Sequence, residues 1–190
     1  CNACVRLERY CGEGVHQILT TSKMLLKAFI KYLRSLITSG IQETSNEVGK
    51  VIEPLLRDSR KSIVVSSPFI SPRYARMLVD KSKQGVKVRV LTWIPEPGEE
   101  GYDYHVESLR ILRENLNDNL EVRVADQLHA KIYVVDGKIA IIGSANLTES
   151  GMYGNVEHID IKLDPKLVLE ISRGFDNLWS VSRDIRQVNI

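Results

Sequence analysis

The feature that most restricts the fold lies between residues 62 and 93, where SIVVSS (62–67), SPRYARMLVDKSKQG (71–85) and VKVRVLTW (86–93) follow one another. The first and third segments are short, apolar and rich in valine, the composition of buried strands. The middle segment opens on Ser71-Pro72 and stops at Gly85, the expected start and stop of a helix. Two buried strands joined by a helix call for a sheet with both faces covered. The alternation continues on either side. A helix is expected over 46–60, with Pro54 as a kink or boundary, and another over 105–116. Strands are expected at 120–126 and 156–163, a hairpin between them, and a closing helix over 165–185. Repeated strand–helix units that end in a hairpin specify an α/β fold, a sandwich around a mixed sheet.

Residues 1–40 have a different texture and are set apart as an appendage to a domain spanning 41–190. The chain has 190 residues, enough for that division, and its 43% hydrophobic and 26% charged residues are ordinary for a globular protein. Leu25, Leu26, Phe29, Leu33, Leu36 and Ile37 recur at helical spacing, with Lys23, Lys27 and Lys31 as a basic row. Such a helix packs its apolar face and solvates its charges; a membrane or nucleic-acid contact is the alternative.

Cys1, Cys4, Cys11 and His16 form C-x2-C-x6-C-x4-H. The plainer reading is free thiols, and a structural zinc held by these four is the alternative. An odd, terminal set of cysteines is not a disulfide framework for the core, and it points to a reducing, cytoplasmic compartment. The chain opens on Cys1 rather than Met, which points to a native start upstream, where a signal or anchor would lie. No apolar run approaches the roughly 18 residues of a membrane span. A net charge of +2 permits a nucleic-acid partner without requiring one.

The hairpin carries more polar chemistry than a hairpin needs. In HAKIYVVDGKIAIIGSAN (129–146), Asp136-Gly137 is the turn and fixes the register. His129 and Lys131, two apart on a strand, point the same way, whereas Ala130, Ile132 and Val134 point to the other face. An imidazole and an ammonium on one face repel when both are charged, and an anion such as phosphate resolves the conflict. The return strand brings Gly143, Ser144 and Asn146 back to this pair, with Gly143 allowing close approach of the backbone. In VEHIDIKL, Glu157 shares a face with Ile159 and Ile161, so it points inward and needs a partner, for which His129 is the expected group. His158 faces the other way with Asp160.

The string H-x-K-x4-D-x6-G-S-x-N, met here by His129, Lys131, Asp136, Gly143, Ser144 and Asn146, resembles the signature of the phospholipase D superfamily. ESGMYGNVE, with Asn155 and Glu157, resembles the family's continuation, and the segment from Ser62 resembles its first half. The resemblance covers roughly residues 44–190. It implies a phospholipase D-like α-β-α sandwich and a phosphodiesterase that needs no cofactor for catalysis. It further implies that His129 is the nucleophile and forms a phosphohistidine. Lys131 and Asn146 would hold the non-bridging oxygens with help from Ser144, and Glu157 would orient His129. Asp136, at the turn, is expected to be structural.

Cleavage through a covalent histidine needs a second group to protonate the leaving oxygen, and in this family that group is a histidine from a second motif. Only one copy is present; His16, His105 and His158 lack its companions. The expectation is a homodimer sharing one site across a two-fold axis, as in the small single-motif members. The alternative is a truncated two-motif enzyme, against which the full closing helix argues. Because those small members are mostly nucleases, DNA or RNA is the first expected substrate. Lys81, Lys83 and Lys87 are available to phosphates, although the loop with Glu96, Glu99, Glu100 and Asp103 opposes a polyanion. Trp93, Tyr102 and Tyr104 offer stacking surfaces to bases. A phospholipase or phosphatidyltransferase on membrane lipids is the second enzyme reading, and a non-catalytic phosphate-binding module the third.

Overall fold

The computed structural model describes residues 40–99 and 101–190, so the cysteine cluster, the segment expected to form a basic amphipathic helix and Glu100 lie outside the described residues. From Gly40 the order is β1 (Ile41–Ser45), α1 (Gly49–Asp58), β2 (Ser62–Ser66), α2 (Pro72–Lys83), β3 (Lys87–Thr92) and α3 (Tyr102–Glu114). It continues through β4 (Leu120–Val124), β5 (Lys131–Val135), β6 (Ile139–Gly143), α4 (Glu149–Tyr153), β7 (Glu157–Lys162), α5 (Pro165–Val181) and β8 (Arg183–Asp184), and a 3-10 turn at Ile185–Gln187 follows.

The eight strands of the described residues form one sheet in the order β1-β7-β6-β5-β2-β3-β4-β8. β2, β3 and β4 run parallel, joined by α2 and α3, and every other pairing is antiparallel. The mixed sheet expected from the alternation of patterns is therefore present. One face carries the main core, where Ile52 and Leu56 of α1, Tyr74 and Leu78 of α2, and Leu109 and Leu112 of α3 meet Ile63, Val65, Val88, Val90 and Tyr133. The other face is covered by α5, whose Val168 and Phe175 pack on Val64, Leu91, Val134 and Ala140. This is an α-β-α sandwich.

Local chemistry sets the element ends. Pro72 occupies the first turn of α2 behind an extended Ser71, and the helix is followed by Gly85 at φ +88°. At α5, Asp164 accepts hydrogen bonds from the Lys166 and Leu167 amides, so two orphan donors of the first turn are satisfied. α1 runs through Pro54 without a break.

Three elements differ from expectation. β1 escapes pattern reading because IQETS contains a single apolar residue and lies on a solvated sheet edge, beside β7. The closing helix stops at Val181 rather than reaching 185: the Ser182 hydroxyl donates to the Trp179 carbonyl, and Arg183–Asp184 joins β4. Ile185, fully buried, then returns the chain to the core. The Gly-rich stretch after the hairpin holds the short helix α4, capped by Thr148, whose hydroxyl accepts from the Gly151 amide. Among the described residues no helix is long and apolar enough to cross a membrane.

Candidate active site

The parallel strands β2, β3 and β4 all end at one edge of the sheet, the edge at which open α/β sheets bind ligands. Antiparallel pairing brings the start of β5, the end of β6 and the start of β7 to that same edge: Ser66 stands opposite Ile132, Lys131 opposite Gly143, and Gly143 opposite Ile159. Lys131, Ser144, Asn146 and Glu157 are thus gathered by strand register, and His129 is two residues from Lys131. Asp136 sits at the opposite end of the β5–β6 hairpin.

His129 differs from a strand residue. β5 begins only at Lys131, and His129 lies in an irregular, exposed segment before it. The ladder stops here because the Ser66 hydroxyl, rather than a strand amide, takes the Ala130 carbonyl at 2.9 Å. Freed from the ladder, the imidazole projects outward without a hydrogen bond among the described residues.

Lys131 is its opposite, 6% exposed, with Nζ donating to the His129 carbonyl at 2.9 Å. Burial pulls the lysine below its ordinary pKa, and the Glu157 carboxylate acts against that fall. A buried ammonium held by a neutral carbonyl next to a carboxylate is well placed to receive an anion.

Glu157 faces inward with Ile159 and Ile161, as the alternation requires. Its carboxylate, however, is not hydrogen-bonded to His129. The Ser144 hydroxyl donates a short hydrogen bond to Oε2, and Asn155 Nδ2 approaches Oε1 at 3.4 Å. The reason is local: the Ser144 amide bonds the His158 carbonyl at 3.0 Å, and its hydroxyl accepts from the His158 amide at 3.1 Å, which sets that hydroxyl against Glu157. His158 itself is exposed and its Nδ1 meets the Thr44 hydroxyl at 2.7 Å. Asn146 Oδ1 is buried and has no partner among the described residues.

Asp136 accepts from the Arg60, Lys61 and Ser62 amides at 3.1, 2.8 and 3.0 Å, tying the turn to the start of β2. Burial would raise its pKa, but those amides and the nearby Lys138 hold the carboxyl below the usual range. The turn itself has positive φ at both central positions, 54° at Asp136 and 65° at Gly137, the requirement of a type I′ hairpin.

Several site groups are not singled out by the motif. Ser66 and Ser67 are fully buried at the end of β2, and the Ser67 hydroxyl accepts from the Leu147 amide at 2.9 Å. A pair of serines closing an apolar strand, SIVVSS, is the signal that could have marked them. Tyr133, fully buried, donates to the Ala145 carbonyl at 2.8 Å and so fixes the loop that carries Asn146. His105 is wholly buried; Nδ1 accepts from the Ile70 amide at 3.0 Å and Nε2 donates to the Trp93 carbonyl at 2.8 Å. Burial pushes its pKa down, so it is a neutral strut between the loops that follow β2 and β3. Among the described residues no group of three or more His, Cys, Asp and Glu side chains is arranged to hold a metal ion.

A family model described as "Cardiolipin synthase, PLD-like domain" matches residues 52–179. A mitochondrial cardiolipin hydrolase from Xenopus laevis is 25% identical over 142 residues, which cover 73% of this chain and 64% of that protein. The chain therefore spans less than two thirds of that relative's length. Among solved structures, Nuc from Salmonella typhimurium, a phospholipase D family member, superposes with a TM-score of 0.63 at 20% identity. The likeness covers 76% of this chain and 97% of Nuc. NucT from Helicobacter pylori gives a TM-score of 0.63 at 16% identity, over 76% of this chain and 98% of NucT. At these identities the two structural likenesses speak to the fold.

Proposed function

Because this chain belongs to the phospholipase D superfamily, we propose that it is a phosphodiesterase that works through a covalent phosphohistidine at His129, in a site completed by a second copy of the chain. The observation that carries this reading is the pairing of an exposed imidazole at His129, with no hydrogen bond among the described residues, with the buried ammonium of Lys131 at the start of β5. In the proposed reaction an unprotonated ring nitrogen of His129 attacks phosphorus and the bond to the leaving oxygen breaks. Lys131 and the Asn146 amide bind the non-bridging oxygens as charge builds on them. The second copy of His129 gives its proton to the leaving oxygen, then takes one from the water that attacks the phosphoenzyme and releases His129. No step draws on a cofactor.

Glu157 has a different role from a direct partner of His129. Its carboxylate fixes the Ser144 hydroxyl and supports the charge on Lys131, so it acts by holding the anion-binding groups in their protonation state and place.

For the substrate class we put nucleic acid first, on the single motif copy that the chain shares with the small members of the family. Membrane lipid is the second reading, and a specific observation favours it: Val156, beside Glu157, is 76% exposed, and Tyr153 nearby is 39% exposed. Apolar side chains at the rim suit acyl chains better than a sugar-phosphate backbone, and Glu96, Glu99 and Asp103 follow β3 at this same edge. A substrate panel of single- and double-stranded DNA, RNA and phosphatidylcholine, run in EDTA on the wild type and on His129→Asn, separates the readings. Turnover of nucleic acid that disappears with His129→Asn supports the first; turnover of lipid alone replaces it with the second. Binding without any turnover leaves a phosphate-ligand module and overturns the enzyme.

A further inference from the structure

We propose that Glu53, far from the motif in sequence, is a positioning residue that holds Asn146 in place through Tyr153 and the short helix α4. The inference rests on the reading of Asn146 as a phosphate-binding group.

Glu53 lies in α1 and is only 7% exposed. Its Oε1 accepts from Arg57 Nη2 and Arg73 Nη2, both at 2.7 Å, and Oε2 accepts from the hydroxyls of Tyr153 at 3.0 Å and Tyr74 at 3.3 Å. These partners stand on α1, α2 and α4. A carboxylate is an expensive way to fill a helix junction, because burial opposes its charge unless partners are supplied. What it does provide is direction: the bonds to Tyr153 and Tyr74 fix where the helices meet. Burial alone would raise the carboxyl's pKa, yet Arg57, Tyr153 and Arg73 hold it below the usual range.

The contact from Glu53 to Asn146 is continuous and has no slack. The Tyr153 ring lies on Gly49 of α1, where an added Cβ would stand 2.6 Å from Tyr153 Cζ and 2.8 Å from Met152 Cβ. Two residues earlier in α4, Gly151 rests on the backbone of Asn146; a Cβ there would run into the Asn146 carbonyl and stand 2.9 Å from its nitrogen. The Thr148 amide donates to the Asn146 carbonyl at 2.8 Å. On its other side the segment is fixed to the loop between β2 and α2, through Leu147 to Ser67 and Ser71, and to β5 through Ala145 to Tyr133. Asn146 is therefore held between these ties and α4, and among the described residues the only hydrogen bond from α4 to α1 runs from Tyr153 to Glu53.

The test uses Tyr153→Phe, which keeps the ring and removes the hydroxyl, alongside Glu53→Gln. With bis-p-nitrophenyl phosphate as substrate, Tyr153→Phe is expected to lower kcat on the order of tenfold with KM little changed, in line with the cost of small misplacements in a site. A double-mutant cycle then assigns the effect: in an Asn146→Ala background Tyr153→Phe should cost nothing further. An undiminished loss in that background, or no loss in the wild-type background, overturns the proposal. If Glu53→Gln does not fold, Tyr153→Phe alone carries the test. If the wild type turns over no phosphodiester, the proposed function fails by itself, and the side-chain amide spectrum decides the clamp instead. There, Tyr153→Phe should move the Asn146 signal and leave that of the distant Asn115 unmoved; an unmoved Asn146 signal overturns it.

Discussion

At the scale of single residues, two side chains only two positions apart occupy opposite environments, and the proposed chemistry uses the contrast. The His129 imidazole is exposed and has no hydrogen bond among the described residues, whereas Lys131 is buried and its ammonium is held by the His129 carbonyl. The motif singles out both in the sequence, His129 as the expected nucleophile and Lys131 as an expected holder of phosphate oxygens. It did not make legible the Ser144–Glu157 bond, because alternation predicts which face a side chain takes and not which of two nearby groups it will bond. The pH dependence follows from the burial of Lys131. Its ammonium binds anions only when protonated, and its folded pKa lies below that of an ordinary lysine, so activity should fall on the alkaline side earlier than an exposed lysine would allow. Glu157 acts in the opposite direction, raising that pKa, so Glu157→Gln should move the alkaline limb to lower pH. A pH–rate profile of kcat/KM for both proteins checks this, and an alkaline limb that stays in place would separate Glu157 from Lys131.

At the scale of elements, the β5–β6 hairpin links a structural end to a chemical one. Asp136 at the turn binds three amides at the start of β2, and Gly143 at the other end allows β6 to approach β7 so closely that a Cβ would stand 2.9 Å from Ile159 Cα. Asp136→Ala should destabilise the fold by roughly 2–3 kcal/mol at neutral pH, since the amides lose a charged acceptor. The sign is set by the depressed pKa: the stabilisation is present above the unfolded-state value and is lost as pH falls through the folded one. Urea unfolding of the two proteins should therefore differ at neutral pH and converge in acid; a constant difference would deny the carboxylate its role. Gly143→Ala should instead act on the site, lowering kcat on the order of a hundredfold by displacing Ser144, with the activity of His129 toward alkylating reagents retained. The strand–helix alternation and the turn were readable because periodicity and turn residues are local. β1 and β8 were not, because an edge strand such as IQETS and a two-residue strand carry no apolar period and exist only by pairing with β7 and β4. Glu53 was invisible for a similar reason: its partners lie as far as 100 residues away, at Tyr153.

At the scale of the molecule, one motif copy gives one nucleophile, and the proposed reaction needs two histidines. A homodimer in solution is expected, measurable by light scattering, and mixing should show shared sites. When wild type is co-refolded with His129→Asn, mixed dimers should lack full sites, so activity should drop below the wild-type share; activity equal to that share would mean each chain works alone. The proposed reaction turns on its covalent step. The most direct measurement is to quench the wild type during turnover of bis-p-nitrophenyl phosphate in EDTA, under alkaline conditions that preserve phosphohistidine, and to locate the adduct by peptide mass spectrometry. A p-nitrophenylphosphoryl adduct on His129, formed with loss of one p-nitrophenolate and missing from His129→Asn, is the expected result. Turnover with no adduct, or an adduct on another residue, would contradict it.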